Sequence, residues 1–305
     1  MQILREPTPP PARDVGSAIE KAPRIYRAIA FHYKQSRIPI LRDVLKASIS
    51  NAYHIHTVIT TNEANASDLS QLIEEFSIKY DTLIEVVVFP NLSNPWLLTW
   101  AHKQLISTAF FSGSYDYFIY SEDDIRLSEF NILSWIDLSN SLTNECGLYP
   151  SFARVEYCKR TFRWFYTDQM VKLSRNLTPF VEVTFQHQKL GLYQLGNPYQ
   201  AMYIYDKSLM KEYLLSPNFR LENCKSISNI DHATWGGGGV AEESANGLTY
   251  VNPPHPFNSR NLMPIDLYTG LPHAGFLVHH MTNNYVENYT SIGFAHIGVD
   301  QLFSE

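Results

Sequence analysis

The stretch Y-D-Y-F-I-Y-S-E-D-D-I, residues 115–125, carries the clearest fold signal in the chain. An apolar and aromatic run of this length is typical of a strand, and this one ends in three consecutive acids. The run completes a regular alternation. The sequence predicts strands over 24–32, 54–61, 82–89 and 115–120, and helices over 38–50, 68–79 and 96–111. Alternating strands and helices predict an α/β fold, with a mostly parallel central sheet flanked by helices.

Residues 126–305 follow a less regular pattern. Short strands are predicted over 152–157, 180–185 and 199–205, and a helix over 206–215 begins at Asp206, a favourable N-cap residue. We therefore predict one domain over 23–305, with a regular half at 23–125 and a mixed half at 126–305. Residues 1–22 are rich in proline and charge and are predicted to form a flexible N-terminal arm.

The composition excludes several classes of protein. The chain has 305 residues, a net charge of -6 and 18% charged residues. These values argue against disorder and against non-specific attraction to nucleic acid or anionic lipid. The three cysteines contain no C-x-x-C spacing, which argues against a structural zinc or a disulfide framework. With no signal-like start and no apolar run near ~20 residues, we expect a soluble, cytoplasmic protein without a transmembrane segment.

The acidic cluster that ends the fourth strand is the first candidate site. In parallel sheets ligands bind beyond the carboxyl ends of the strands, which places His32, Tyr33, Thr61 and the acids 122–124 along one edge. Adjacent like charges are unfavourable unless a cation neutralises them, and Mg²⁺ or Mn²⁺ prefers oxygen ligands. Such a metal can hold a diphosphate. Alternatively, the acids form a solvated turn that caps a helix beginning near Ser128.

With S-E-D-D-I at the end of the fourth strand, residues 24–125 resemble the nucleotide-sugar glycosyltransferases of the GT-A fold. The motif is similar to the E-D-D-L segment of the inverting N-acetylglucosaminyltransferases of the Golgi. The resemblance implies a nucleotide-sugar-binding half at 23–125 and an acceptor-binding half at 126–305. It also implies that Asp124 binds the metal directly, while Asp123 and Glu122 hold the ribose or donor sugar or bind the metal through water. In similar enzymes the first turn of a donor-site helix approaches the nucleotide, which implies a contact from Asn94.

The segment W-G-G-G-G-V-A-E-E, residues 235–243, supplies candidates for a catalytic base. Glycines permit close approach of the backbone to a ligand, and Glu242 and Glu243 follow at the predicted start of a short helix. An inverting transfer needs a carboxylate to accept the proton of the acceptor hydroxyl. GT-A inverting enzymes resemble this in having an acid at a late helix start, and Glu243 is slightly preferred. Alternatively, both acids only complement the helix dipole. An enzyme that retains the anomeric configuration would not need this base, so the sequence leaves the stereochemistry open.

Two late histidines supply candidates for a further metal ligand. Many GT-A enzymes place one late histidine on the metal, and the segment L-V-H-H contains His279 and His280. Side chains of neighbouring residues on an extended segment point to opposite faces, so only one of the two can bind, with His280 slightly preferred. Arg154 and Glu156 alternate on a short predicted strand. Arg154 either contacts a phosphate or sugar hydroxyl or pairs with Glu156.

These features predict a metal-dependent glycosyltransferase that transfers a sugar from a nucleotide-diphosphate donor, UDP-linked, to a glycan or other hydroxyl acceptor. Mn²⁺ or Mg²⁺ is the expected cofactor, and no nucleic-acid partner is expected. One alternative is a sugar nucleotidyltransferase, although the segment after the first strand, F-H-Y-K-Q-S-R-I-P, lacks the glycines usual in that class. Another is a non-catalytic carbohydrate-binding protein that uses its aromatic residues to stack on sugars.

Overall fold

The protein is described here from a computed structural model. The structure describes residues 22–63, 66–90, 92, 98–146, 148–169, 172–195, 201–216, 219, 261–289 and 295–304. The helices are α1 (Ile38–Ala47), α2 (Ser67–Tyr80), α3 (Leu98–Phe111), α4 (Glu129–Cys146) and α5 (Lys207–Leu215). The strands are β1 (Arg24–Phe31), β2 (His54–Thr61), β3 (Leu83–Val88), β4 (Tyr117–Glu122), β5 (Ile125–Arg126), β6 (Tyr149–Pro150), β7 (Ala153–Cys158), β8 (Arg163–Tyr166), β9 (Val181–Phe185), β10 (Gln188–Tyr193), β11 (Met202–Asp206), β12 (Asn261–Asp266) and β13 (Leu277–His280).

The central sheet contains five strands in the order β11-β4-β1-β2-β3. The strands β1 to β4 are parallel, and β11 lies antiparallel to β4. The predicted α/β class, with alternating strands and helices in the first half of the chain, is confirmed. The register pairs Phe31 with Thr61 and Ala30 with Glu122, so the carboxyl ends of three adjacent strands meet at one edge. The division of the chain into domains stays a prediction.

Helices cover the two faces of this sheet, which explains why β1 is an almost continuous apolar run. On one face, Ile29 and Phe31 pack with residues of α1 and α2, including Leu41 and Leu72. On the other face, Ala28 and Ala30 belong to a larger core that contains Ile106 of α3. No described helix is both long enough and apolar enough to cross a bilayer.

Two smaller sheets of mixed direction follow, with the strand orders β6-β12-β10-β9 and β5-β13-β7-β8. In the second of these, β13 is antiparallel to β5, pairing His280 with Ile125, and parallel to β7, pairing His279 with Val155. Because β5 begins directly after Asp124, this register brings late residues of the chain next to the acidic cluster. The backbone N–H of Met281 donates to the carbonyl oxygen of Asp124 at 2.9 Å.

Two helices, α5 and α4, begin directly after residues whose side chains cap the backbone N–H groups of the first turn. Asp206 caps α5, as predicted, because its carboxylate accepts from the backbone N–H of Leu209 at 2.7 Å. At the start of α4, the Ser128 hydroxyl accepts from the Asn131 N–H at 3.2 Å, and the Asn131 side chain accepts from the Ser128 N–H at 3.0 Å. This reciprocal pair caps α4, so the acids 122–124 are not needed as its caps.

Candidate active site

The acidic cluster lies at the carboxyl edge of the central sheet and is largely buried. Asp123 and Asp124 are 5% and 6% exposed, and Glu122 is partly exposed. A solvated acidic turn would leave these carboxylates in water. Their burial instead requires that neighbouring positive charges or hydrogen bonds compensate them.

Arg37 is the first of these compensating charges, and it was not among the residues predicted to form the site. Its Nε and Nη2 atoms donate to the two oxygens of Asp123 at 2.7 and 2.6 Å, and Nη2 also donates to Oδ2 of Asp124 at 3.0 Å. Arg37 lies in a single turn of 3-10 helix, Gln35–Arg37, between β1 and α1. A basic residue in a short loop belongs to no periodic pattern. Only its position after a parallel strand could have indicated that Arg37 belongs to the site.

His280 is the second positive partner of the cluster. Its Nε2 atom lies 3.2 Å from Oδ2 of Asp124, and its Nδ1 atom lies 2.5 Å from Oε1 of Glu156. Glu156 is fully buried, and its other oxygen accepts from the backbone N–H of Val286 at 2.7 Å. The three side chains form a buried row from the central sheet into β7 and β13. Glu156 was not among the residues predicted to lie beside the acids.

The electrostatics of the row follow from burial and from its neighbours. Burial raises the pKa of Asp124, but the charges of His280 and Arg37 outweigh burial, so the pKa is held well below its usual range. Burial lowers the pKa of His280, but Asp124 and Glu156 outweigh it and raise the pKa to about 9. Burial and the charge of Asp124 raise the pKa of Glu122 to about 7. The Asp124 carboxylate therefore stays ionised near neutral pH.

The neighbouring His279 faces away from the acids. Its Nε2 atom lies 3.2 Å from Oδ1 of Asn283, and its ring packs edge-on against Trp164 at 5.0 Å. The two histidines alternate across β13, where His279 is half-buried and His280 is buried. Of the two candidates, the structure brings only His280 to Asp124.

Arg154 lies near the acids but is engaged elsewhere. It is 3% exposed and donates through Nε and Nη2 to the two oxygens of Asp168 at 2.9 and 2.7 Å. Its guanidinium also lies 5.5 Å from the centre of the Tyr285 ring. The ion-pair partner is therefore Asp168 rather than Glu156, because Glu156 is taken up by His280 and Val286. The positive charge of Arg154 still contributes to lowering the pKa of Asp124.

The remaining predicted rim residues lie at the ends of β1 and β2. The Tyr33 N–H donates to Oδ1 of Asn62 at 2.8 Å, and its hydroxyl donates to Asp68 at 2.9 Å. Thr61 is fully buried, and its hydroxyl has no hydrogen-bond partner among the described residues. His32 is half-buried, and burial, Lys34 and Arg37 lower its pKa. The predicted residues Asn94, Glu242 and Glu243 lie outside the described residues.

Two atoms of this edge have the chemistry of metal ligands. In the described part of the chain no group of three or more His, Cys, Asp and Glu side chains could hold a metal. Asp124 and His280, however, present an oxygen and a nitrogen 3.2 Å apart, and adjacent ligands of an octahedral ion with bonds of ~2.1 Å are separated by roughly 3 Å. Oδ1 of Asp124 is buried and accepts no hydrogen bond from described residues. An oxygen of this kind fits a cation.

Comparisons with known proteins add little to this geometry. No model of a protein family matches the chain, and no curated protein matches it. Among solved structures, the chain is similar to the crystal structure of S. aureus TarS, with 12% identity and a TM-score of 0.31 over 62% of this chain and 29% of TarS. The chain thus spans less than a third of TarS. A TM-score this low supports no conclusion about the function of this chain.

Proposed function

We propose that the protein is a metal-dependent glycosyltransferase of GT-A type, which transfers a sugar from a nucleotide-diphosphate donor, UDP-linked, to an acceptor hydroxyl. One observation carries the proposal: Oδ2 of Asp124 and Nε2 of His280 lie 3.2 Å apart at the carboxyl edge of a parallel sheet. This edge is where α/β proteins bind nucleotides and phosphorylated ligands. The carboxylate suits Mn²⁺ or Mg²⁺, and an imidazole nitrogen beside it favours the transition metal, Mn²⁺, of the two.

Asp124 and His280 would hold the ion in this proposal. Mg²⁺ and Mn²⁺ are commonly bound through one or two protein groups, with water and substrate phosphates completing the shell. A site with only two direct protein ligands in the described part of the chain is therefore consistent with a metal shared with a diphosphate. Held by Asp124 and His280, such an ion would supply positive charge beside a diphosphate leaving group.

The side chains around this pair would bind and orient the donor. Arg37 has 27% of its side chain exposed beside the acids, so its guanidinium can pair with a phosphate oxygen. His32 and Tyr33 lie at the neighbouring strand ends, where we assign contacts to the base and ribose. Thr61 lies at the same edge but is fully buried, so no direct donor contact is assigned to it. Glu122 and Asp123 complete the donor side of the site. Asn94 is retained as a proposed donor contact.

Glu243, or Glu242 beside it, is proposed as the base. The carboxylate takes the proton of the acceptor hydroxyl while the acceptor oxygen forms a bond to the anomeric carbon. The bond from that carbon to the diphosphate oxygen breaks with its electron pair on the diphosphate. Attack from the opposite face inverts the configuration. The products are the glycosylated acceptor and the nucleoside diphosphate.

Product analysis tests the class of reaction. The purified protein is incubated with Mn²⁺ and UDP-sugars, or with UTP and sugar 1-phosphates, and nucleotide products are separated by chromatography. A glycosyltransferase releases UDP from a UDP-sugar when a suitable acceptor is present, and slowly to water when it is absent. Formation of UDP-sugar and pyrophosphate from UTP would instead show a nucleotidyltransferase. Glycan binding that needs neither nucleotide nor metal would show a carbohydrate-binding protein.

A further inference from the structure

Glu156 is a fully buried carboxylate whose two oxygens are both used. Oε1 lies 2.5 Å from Nδ1 of His280, and Oε2 accepts from the Val286 N–H at 2.7 Å. Glu156 lies on β7, and its partners lie on β13 and in the segment that follows, so it joins two parts of the chain that are remote in sequence. Burying a carboxylate costs free energy, and hydrogen bonds to both of its oxygens offset that cost.

We propose that Glu156 is the positioning residue that holds the His280 ring so that Nε2 faces Asp124. The inference rests on the proposed function, in which Nε2 binds a divalent metal. A neutral imidazole has one N–H donor and one lone pair, and an ionised carboxylate can only accept. When a metal takes the place of the Nε2 proton, the contact with Glu156 keeps the remaining proton on Nδ1 and leaves the Nε2 lone pair for the ion. Carboxylates of this kind orient many metal-binding histidines.

The neighbouring contacts support this assignment. The Thr282 hydroxyl lies 3.3 Å from Nδ1 and 3.2 Å from Nε2 of His280, and because a hydroxyl both donates and accepts it does not select a tautomer. His279 contacts an amide oxygen of Asn283 through Nε2, which leaves that nitrogen occupied. Of these two adjacent histidines, His280 is the one that contacts a buried carboxylate through Nδ1 and the Asp124 carboxylate through Nε2.

Glu156→Gln tests the inference because glutamine has nearly the same shape but only one acceptor oxygen. It cannot accept from both the Val286 N–H and the His280 Nδ1–H, so the ring loses its fixed tautomer. With Mn²⁺ alone as the probe, we expect the affinity, measured by water-proton relaxation, to fall about 10–100-fold. Glu85→Gln is the matched control, because Glu85 is an exposed acid that contacts another histidine, His56, at 3.3 Å. It should bind Mn²⁺ like the parent.

The outcomes separate the inference from the proposed function. If His280→Gln binds Mn²⁺ as tightly as the parent, the proposed function fails. If His280→Gln weakens binding but Glu156→Gln matches Glu85→Gln, only the role of Glu156 is overturned, even where the thermal stability of Glu156→Gln is lower. If Mn²⁺ affinity falls in Glu156→Gln and His280→Gln but not in Glu85→Gln, the result supports both the inference and the proposed function.

If Glu156→Gln does not fold, a measurement on the parent protein still tests the inference. Ring nitrogens of ¹⁵N-histidine-labelled protein are observed by NMR with Zn²⁺ as a diamagnetic probe, and the His280 signals are assigned by their absence in His280→Gln. We expect a protonated Nδ1 and an unprotonated, metal-shifted Nε2. A proton on Nε2 with the metal bound, or coordination through Nδ1, would overturn the inference.

Discussion

Nε2 of His280 lies 3.2 Å from Oδ2 of Asp124, although the two residues are far apart in the sequence. The contact depends on the pairing of β5 with β13, which sets Ile125 opposite His280. A strand pairing is a rigid support, so the distance between the two side chains does not depend on a flexible loop.

Asp124→Asn should abolish most metal binding. The substitution keeps the shape of the side chain but removes its charge, so we expect Mn²⁺ affinity to fall by more than the ~10–100-fold typical of an outer partner. Isothermal titration with Mn²⁺ and UDP measures the change. Asp116→Asn is the control, because Asp116 is a half-exposed acid that pairs with Lys207. Equal Mn²⁺ affinity in Asp124→Asn and the parent would rule out Asp124 as a ligand.

The two adjacent histidines should differ in their effect. His280→Gln removes the nitrogen that faces Asp124, whereas His279→Gln changes a ring that contacts Asn283 and Trp164. We expect His280→Gln to weaken Mn²⁺-dependent nucleotide binding at least about tenfold, and His279→Gln to leave it within twofold or so of the parent. The same titration measures both. The reverse order of effects would assign the metal to His279.

Arg37→Gln should destabilise the protein most when no metal is present. The substitution leaves Asp123 and Asp124 without the guanidinium that donates to both, at a cost of about 1–3 kcal/mol. Mn²⁺ should restore part of this loss, so it stabilises Arg37→Gln more than the parent. Urea unfolding with Mn²⁺ and with EDTA measures both effects. The exposed pair of Arg42 with Glu75 supplies the control, Arg42→Gln, which should cost less than ~1 kcal/mol. An equal loss of unfolding free energy in Arg37→Gln and Arg42→Gln would contradict the role of Arg37 in compensating the buried acids.

Asp168→Ala should be strongly destabilising, because it leaves the buried Arg154 guanidinium without its bidentate partner. Breaking a buried ion pair in this way typically costs ~3–5 kcal/mol. Asp300→Ala removes the partner of Arg163 in an exposed pair and should cost only ~0–1 kcal/mol. Urea unfolding compares the two variants. The account of Arg154 would be wrong if Asp168→Ala unfolded with the midpoint of Asp300→Ala.

Much of the fold was predictable because its signals are local. The strands β1 to β4 are apolar runs at regular intervals, and Asp206 caps α5 through its own carboxylate. The position of the acids at the end of β4 follows from the same pattern. Each of these features depends on residues that are close in sequence, so periodicity and side-chain chemistry indicate them directly.

The contacts inside the site were less predictable because they join remote segments. Arg154 and Glu156 alternate on β7 and were candidates for pairing with each other, but Arg154 pairs with Asp168 and Glu156 with His280. The choice depends on the register of β13 beside β7, which no local pattern encodes. Arg37 was missed for the same reason, since its partners Asp123 and Asp124 lie on another strand end.

The most direct test of the central claim is a thermal-shift measurement on the parent protein with UDP, GDP and CDP, each with Mn²⁺ and with EDTA. A ligand present at 100 times its dissociation constant stabilises a protein by ~2.7 kcal/mol, which raises the melting temperature by several degrees. We predict that UDP gives such a rise with Mn²⁺ and none with EDTA. The same rise in EDTA would contradict a metal-dependent site, and no rise with any nucleotide would contradict the proposed function.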